Sequence, residues 1–310
     1  HQLNRRKPGQ NQWVTPREEG DEVEWLSGIF EGKTTGAPIA FVIKNNDTRS
    51  ADYANIQTIY RPGHADFVYE KKYGHRDHRG GGRSSARETA CRVVAGAIAS
   101  QLLKEMGITI TAYVNSIKDL HVSKGYAYLP LHTVDESPVR CPEKTTSDRM
   151  VQLIEEVKSQ KDSLGGTIVC VSEGVPIGWG SPIYEKLNAA LAHAMFSINA
   201  VKGFEMGDGF SSTLRYGSQN NDAIIGGTNH DGGITGGISN GKDIWFKVAF
   251  KPTSSIGQTQ TTQDASGTSV DLTLEGRHDP CVLIRAVPII EATTAMILYN
   301  AFLENKIETK

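Results

Sequence analysis

The sequence predicts an α+β fold. Stretches with helical apolar spacing are separated by strand-like runs that come in groups, which suits layered sheets and helices better than strict βαβ alternation. No G-x-G-x-x-G follows a strand and no Walker spacing occurs, so Rossmann and nucleotide-triphosphate readings fail. The 310 residues suffice for one large domain or two smaller ones. Apolar content of 38% and charged content of 22% are ordinary, so a sizeable core is expected.

Taken in order, residues 23–30 and 38–44 read as strands joined through the Gly-bearing EGKTTGA. Ser85 and Glu88 form the S-x-x-E pattern of a capping box. Behind it Val93, Val94, Ala97, Ile98, Leu102 and Met106 recur at helical spacing, and Gly107 ends the helix. Residues 108–117, ITITAYVNSI, look like a strand. Ser147 is a candidate cap for a helix carrying Val151, Ile154 and Val157, closed near Gly165 and Gly166 before a strand over 167–173. Ser181 and Pro182 read as a cap plus first-turn proline. That helix carries Leu187, Ala190, Leu191, Ala194, Met195 and Ile198 and stops at Gly203. A Gly/Asn-rich segment then precedes a strand over 244–250, and a last helix covers about 290–305.

The most informative stretch is 61–107, which gathers His64, Arg76, Arg79, Arg83 and Arg87 around three glycines and opens into a helix. A helix start offers free N–H groups and partial positive charge to an anion. Flanked by arginines, it reads as a site for a multiply charged small anion, phosphate above all. His64 sits on a turn beside Asp66, which could orient its ring; a purely structural histidine is the alternative. His75 and His78 lie among charges and read as solvated surface. The run Arg5, Arg6, Lys7 with Arg17 is by default a solvated basic face. Asn229-His230-Asp231-Gly232-Gly233 is either a flexible loop or a place where backbone amides approach a ring or phosphate. Lys251–Ser255 and Arg277–Pro280 cluster polar groups at the ends of elements, where sites tend to sit.

Net charge is −2, so the basic clusters are local and a nucleic-acid partner is disfavoured. No signal-peptide core and no apolar run of membrane-spanning length is evident, which predicts a cytoplasmic protein. The four cysteines never form C-x-x-C, so zinc and redox motifs are unsupported; Cys91 and Cys170 are expected as reduced buried thiols.

RPGHAD, GGGRSSARET, NHDGGITGGISNG, KPTSSI and GRHDPC with AVPIIEA resemble, in order and over almost the whole chain, the chorismate synthase family. The resemblance implies a single-domain β-α-β sandwich of antiparallel sheets and helices, assembled as a homotetramer. It implies an anti-1,4-elimination of phosphate from 5-enolpyruvylshikimate 3-phosphate to give chorismate, with reduced FMN required although no net redox change occurs. By resemblance, Lys7, Arg17, Arg87 and Arg277 face the substrate. Ser84, Ser85, Ala86, Arg87, Asn229, Lys251, Ser255, Arg277 and His278 face FMN. His64 matches the histidine near the flavin, and Asp279 the carboxylate proposed to relay a proton. No metal is implied.

Three departures stand out. Relatives begin with a Ser-His-Gly motif whose histidine is proposed to protonate the leaving phosphate; the present sequence starts at His1, which does not match it, so a truncated or disordered N-terminal segment is expected. Gln12 replaces a common basic residue, and Asp231, where Ala is common, is expected to point outward. Two other classes compete: a flavin-dependent oxidoreductase consuming NAD(P)H, and a non-catalytic module for phosphorylated ligands or RNA using the Arg5–Lys7 run and RGGGR.

Overall fold

The structure, a computed structural model, describes residues 1–15, 19–45, 56–79, 84–274 and 279–308. Its helices are α1 (Gln2–Arg6), α2 (Asp66–Tyr73), α3 (Thr89–Glu105), α4 (Lys144–Ser159), α5 (Leu187–Phe196), α6 (Gly217–Asn220) and α7 (Leu283–Glu308). Its first strands are β1 (Val23–Ser27), β2 (Ile29–Phe30), β3 (Lys33–Thr34), β4 (Ala40–Ile43), β5 (Thr109–Ile117), β6 (Leu120–His121) and β7 (Gly166–Glu173). They are followed by β8 (Val201–Met206), β9 (Ile234–Thr235), β10 (Ile238–Ser239), β11 (Ile244–Phe250), β12 (Gln260–Gln263) and β13 (Ser269–Leu272). The fold is α+β, with antiparallel pairing between all neighbouring strands.

The main sheet has the order β6-β5-β7-β11-β8. β7 lies at its centre, with Cys170 opposite Ala112 of β5 and Phe246 of β11. Ile168 to Ser172 are buried without alternation, as befits a strand covered on both faces. β11 instead alternates: Ile244, Phe246, Val248 and Phe250 are buried, while Trp245, Lys247 and Ala249 are half-exposed on the other face.

The helix α7 lies across β5 and β7, and α3 packs along it. The two helices touch at Gly96, where an added Cβ would lie 2.4 Å from the backbone of Ala292, so only glycine admits this approach. The core face of α3 is Val93, Gly96, Ala99 and Leu103, whereas Met106 is exposed. α7 begins seven residues earlier than the predicted 290 and runs through Pro288. Proline cannot donate to the carbonyl four residues back, and the Arg140 guanidinium donates to that Ile284 oxygen instead. α7 is long and apolar enough to cross a membrane, contrary to the expectation of no such run. Yet 67% of its most apolar stretch is buried inside the protein, which marks a core helix.

Other boundaries also shift. Ser147 lies inside α4, its hydroxyl paired with Ser137, while the helix starts at Lys144. α5 starts at Leu187, with Ser181 in a preceding turn, and Gly203 sits inside the unpredicted strand β8. Cys91 is exposed; Cys141, Cys170 and Cys281 are buried, and burial pushes the thiols of Cys141 and Cys281 up to about 11 and about 12.

Antiparallel register positions the site. Val201 at the start of β8 pairs with Phe250 at the end of β11, and Phe250 pairs with Gly166 at the start of β7. At the same end Leu164 bridges Cys281, which brings in the chain entering α7. The segments 199–202, 251–255 and 279–285 therefore meet at one end of the sheet.

Candidate active site

These segments, the start of α3, the end of α1 and the turn before α2 enclose a cavity of about 620 Å³. That size is typical of small-molecule sites. Six basic side chains line it (Arg6, Arg61, Arg87, Lys202, Lys251 and Arg285), against two carboxylates, Glu19 and Asp279, among the described residues. Such an excess of fixed cations suits a ligand with several negative charges.

The floor is the start of α3. Ser85 caps it, its hydroxyl accepting the Arg87 amide at 3.3 Å, and a short 3-10 turn over Ala86–Glu88 leads into the helix. Glu88 does not close the predicted capping box; it pairs with Arg92 at 3.0 Å. The buried carboxylate of Asp21 lies between two arginines, 2.8 Å from Arg87 Nη1 and 3.5 Å from Arg6 Nη1. Asp21 has φ +48°, a left-handed backbone of the kind that stores strain at functional sites. Arg87 also donates to the Lys44 carbonyl at 2.9 Å. Arg6 is 2% exposed and donates to the Ala86 carbonyl at 2.7 Å. Burial, then the nearby Arg285 cation, pushes Arg6 down to about 10.

One wall is the 61–66 turn. The Arg61 guanidinium grips Asp66 with two bonds of 2.7 and 2.9 Å. His64 Nδ1 lies 2.9 Å from the same carboxylate and 3.0 Å from Arg61 Nη2. Burial alone would raise Asp66, but bonds from Arg61 and His64 outweigh it and hold the carboxyl well below its ordinary range. Lys251 Nζ donates to the Gly63 carbonyl at 2.6 Å, tying this turn to the end of β11.

The opposite wall is the chain entering α7. Arg285 Nε donates to Asp279 Oδ1 at 3.2 Å, and Arg285 Nη2 to Oδ2. The Thr15 amide donates to Oδ1 at 2.9 Å. Asn199 completes the rim, its Nδ2 donating to the Ser84 carbonyl at 3.2 Å while its buried Oδ1 has no partner among the described residues.

The structure thus brings together His64, Ser84, Ser85, Ala86, Arg87, Lys251, Ser255 and Asp279. Arg17, Arg277 and His278 lie outside the described residues. Lys7 is not part of the lining; its neighbour Arg6 is. Asn229 lies elsewhere, its amide bonded to the Asp243 carbonyl (2.8 Å) and its Oδ1 accepting the Gly233 amide (2.8 Å). Arg76 backs the wall through Glu70 and Asp66, and Arg79 pairs with Asp77 in solvent. Asp231 accepts the exposed Thr235 hydroxyl away from the cavity.

The residues that sequence reasoning missed are Arg6, Arg61, Lys202, Arg285 and Asn199. A signal existed for Arg6: it stands three residues after Leu3, which packs on the core, so one face of α1 turns both inward.

The chorismate synthase family model matches residues 1–303. The chain belongs to the chorismate synthase family. A chorismate synthase from Christiangramia forsetii is 53% identical over 308 residues, covering 98% of this chain and 86% of its own. One from Parabacteroides distasonis is 53% identical over 312 residues, covering 98% and 87%. A crystal structure of a chorismate synthase superposes with a TM-score of 0.74 at 33% identity, over 98% of this chain and 82% of that one. The chain is therefore an enzyme of this family, whose members are lyases of the shikimate pathway.

Proposed function

We propose that this chorismate synthase family enzyme removes phosphate from 5-enolpyruvylshikimate 3-phosphate by anti-1,4-elimination, giving chorismate, with reduced FMN and no net redox change. The observation that carries the reading is the pairing of Arg6 and Arg87 on Asp21 beneath the capped start of α3, opposite Asp279. A substrate with a phosphate and two carboxylates needs such a cation wall.

Two features of the cavity fit FMN. The Ser85–Arg87 turn and Lys251 supply amide and ammonium donors for a phosphate, and the unpartnered Asn199 Oδ1 is an acceptor suited to a ligand N–H or O–H. Ser84, Ser85, Ala86, Arg87, Lys251 and Ser255 would hold the cofactor. Resemblance alone adds Asn229, Arg277 and His278 there, and Lys7, Arg17 and Arg277 on the substrate. Bound reduced FMN would supply electron density for C–O cleavage and take it back as hydrogen is lost.

The chain's own residues do the rest. Arg6 and Arg87 orient the allylic phosphate and stabilise the charge it carries away. His64, its ring fixed by Asp66 and Arg61, would help hold a reduced, negatively charged cofactor. Asp279 accepts the proton relayed as the C–H bond breaks. Exposed apolar side chains at Tyr184, Leu214, Ile224 and Ile225 are surface that a homotetramer would cover.

An anaerobic assay of the full-length protein with catalytic reduced FMN tests the reading. Phosphate and chorismate should appear in equal amounts while the flavin stays reduced. Stoichiometric NAD(P)H consumption without chorismate would replace it with an oxidoreductase.

A further inference from the structure

The geometry points to Arg285 as a positioning residue that fixes the Asp279 carboxylate for proton transfer. The inference rests on the lyase reading above, in which Asp279 takes the proton.

Asp279 is anchored through its backbone as well as through its side chain. Its carbonyl accepts the Thr253 hydroxyl at 2.9 Å, and the next carbonyl, of Pro280, accepts the Leu164 amide at 2.8 Å. The backbone is therefore pinned to that end of the sheet, and only the side-chain torsions remain to be set. Arg285 sets them. Its fork meets both carboxylate oxygens, Nε on Oδ1 and Nη2 on Oδ2, and the two side chains are 12% and 11% exposed. A planar two-point contact fixes the carboxylate plane as well as its distance, which a lysine's point charge cannot do. The guanidinium is itself rooted in the first turn of α7, where the Arg285 amide bonds the Val282 carbonyl at 3.1 Å. The Thr15 amide holds Oδ1 from the other side, so the carboxylate faces the cavity in one orientation.

The same contact neutralises Arg285. Arg285 and Arg87 both depress Arg6, so the three cations feel one another, and Asp279 offsets that repulsion. Arg6 and Arg87 lean on Asp21, while Arg285 is committed to Asp279. This division of labour separates substrate-holding arginines from the one that aims the base.

The test compares Arg285→Gln and Arg285→Lys with wild type. Arg285→Gln should lower kcat by about a hundredfold, within the range for general acid–base groups, with Arg285→Lys between it and wild type. Substrate Kd by calorimetry, measured without turnover, should stay within about threefold of wild type. The double variant Arg285→Gln/Asp279→Asn should be no slower than Asp279→Asn alone, because an aiming residue has nothing left to aim. A raised Kd with normal kcat, or additive losses in the double variant, would overturn the assignment. If Arg285→Gln does not fold, Arg285→Lys paired with Asp279→Asn decides by the same two criteria. Failure of wild type to form chorismate would instead sink the lyase reading, which keeps the two outcomes apart.

Discussion

Asp21 shows how much one residue can organise. Its buried carboxylate lies 2.8 Å from Arg87 and 3.5 Å from Arg6, and Glu19 lies 3.6 Å from Arg87, so the 19–21 segment holds both cations in place. Arg87→Ala should accordingly weaken substrate binding at least tenfold and FMN binding far less, about 1.4 kcal/mol being the least that a tenfold loss requires. Equal losses for both ligands in calorimetry would contradict that division. Arg6 carries the pH signature. Because burial and Arg285 bring it down to about 10, an anion that restores its charged form should drive net proton uptake when substrate binds near pH 10. Calorimetry in two buffers of different ionisation enthalpy reads this directly, and proton release would refute it. Asp66 works with the opposite sign. Its folded carboxyl titrates below its ordinary value of 3.8, so its stabilisation is present above that value and is lost as pH falls through the lower folded one. Asp66→Asn leaves Arg61 and Arg76 without their shared anion and should cost on the order of 3 kcal/mol in urea unfolding at neutral pH.

At the scale of elements, the α3–α7 contact is the most sensitive joint. Gly96→Ala puts a methyl into the Ala292 backbone and should destabilise by about 1–3 kcal/mol, readable as a lowered melting temperature; an unchanged one would mean the helices part freely. Element identity was legible wherever one physical signal dominated. The runs 108–117 and 244–250 are legible as strands because β-branched and aromatic residues fill them, and Ser85 as a cap because the S-x-x-E pattern marks a helix start. The failures are equally physical. Pro288 hid the first turns of α7, since nothing local reveals that Arg140, far away in sequence, supplies the missing donor. Glu88 chose Arg92 over the backbone, and Gly203 looked like a helix stop although it lies in the unpredicted β8.

For the whole molecule, the site is a product of topology. His64, Ser85, Arg87, Lys251 and Asp279 were nameable because each sits in a motif of unusual residues. Arg6, Arg61, Arg285 and Asn199 were not, because they meet only when the end of α1, the turn before α2, the start of β8 and the first turn of α7 converge at one end of the sheet. We propose that this convergence builds one cation-walled chamber for a phosphorylated substrate beside a flavin. A crystal of the full-length protein soaked with FMN and 5-enolpyruvylshikimate 3-phosphate tests it most directly. Density for both ligands should fill the 620 Å³ cavity, with phosphate oxygens within hydrogen-bond reach of Arg6 and Arg87. Ligands bound at another surface, with the cavity holding only solvent, would contradict it.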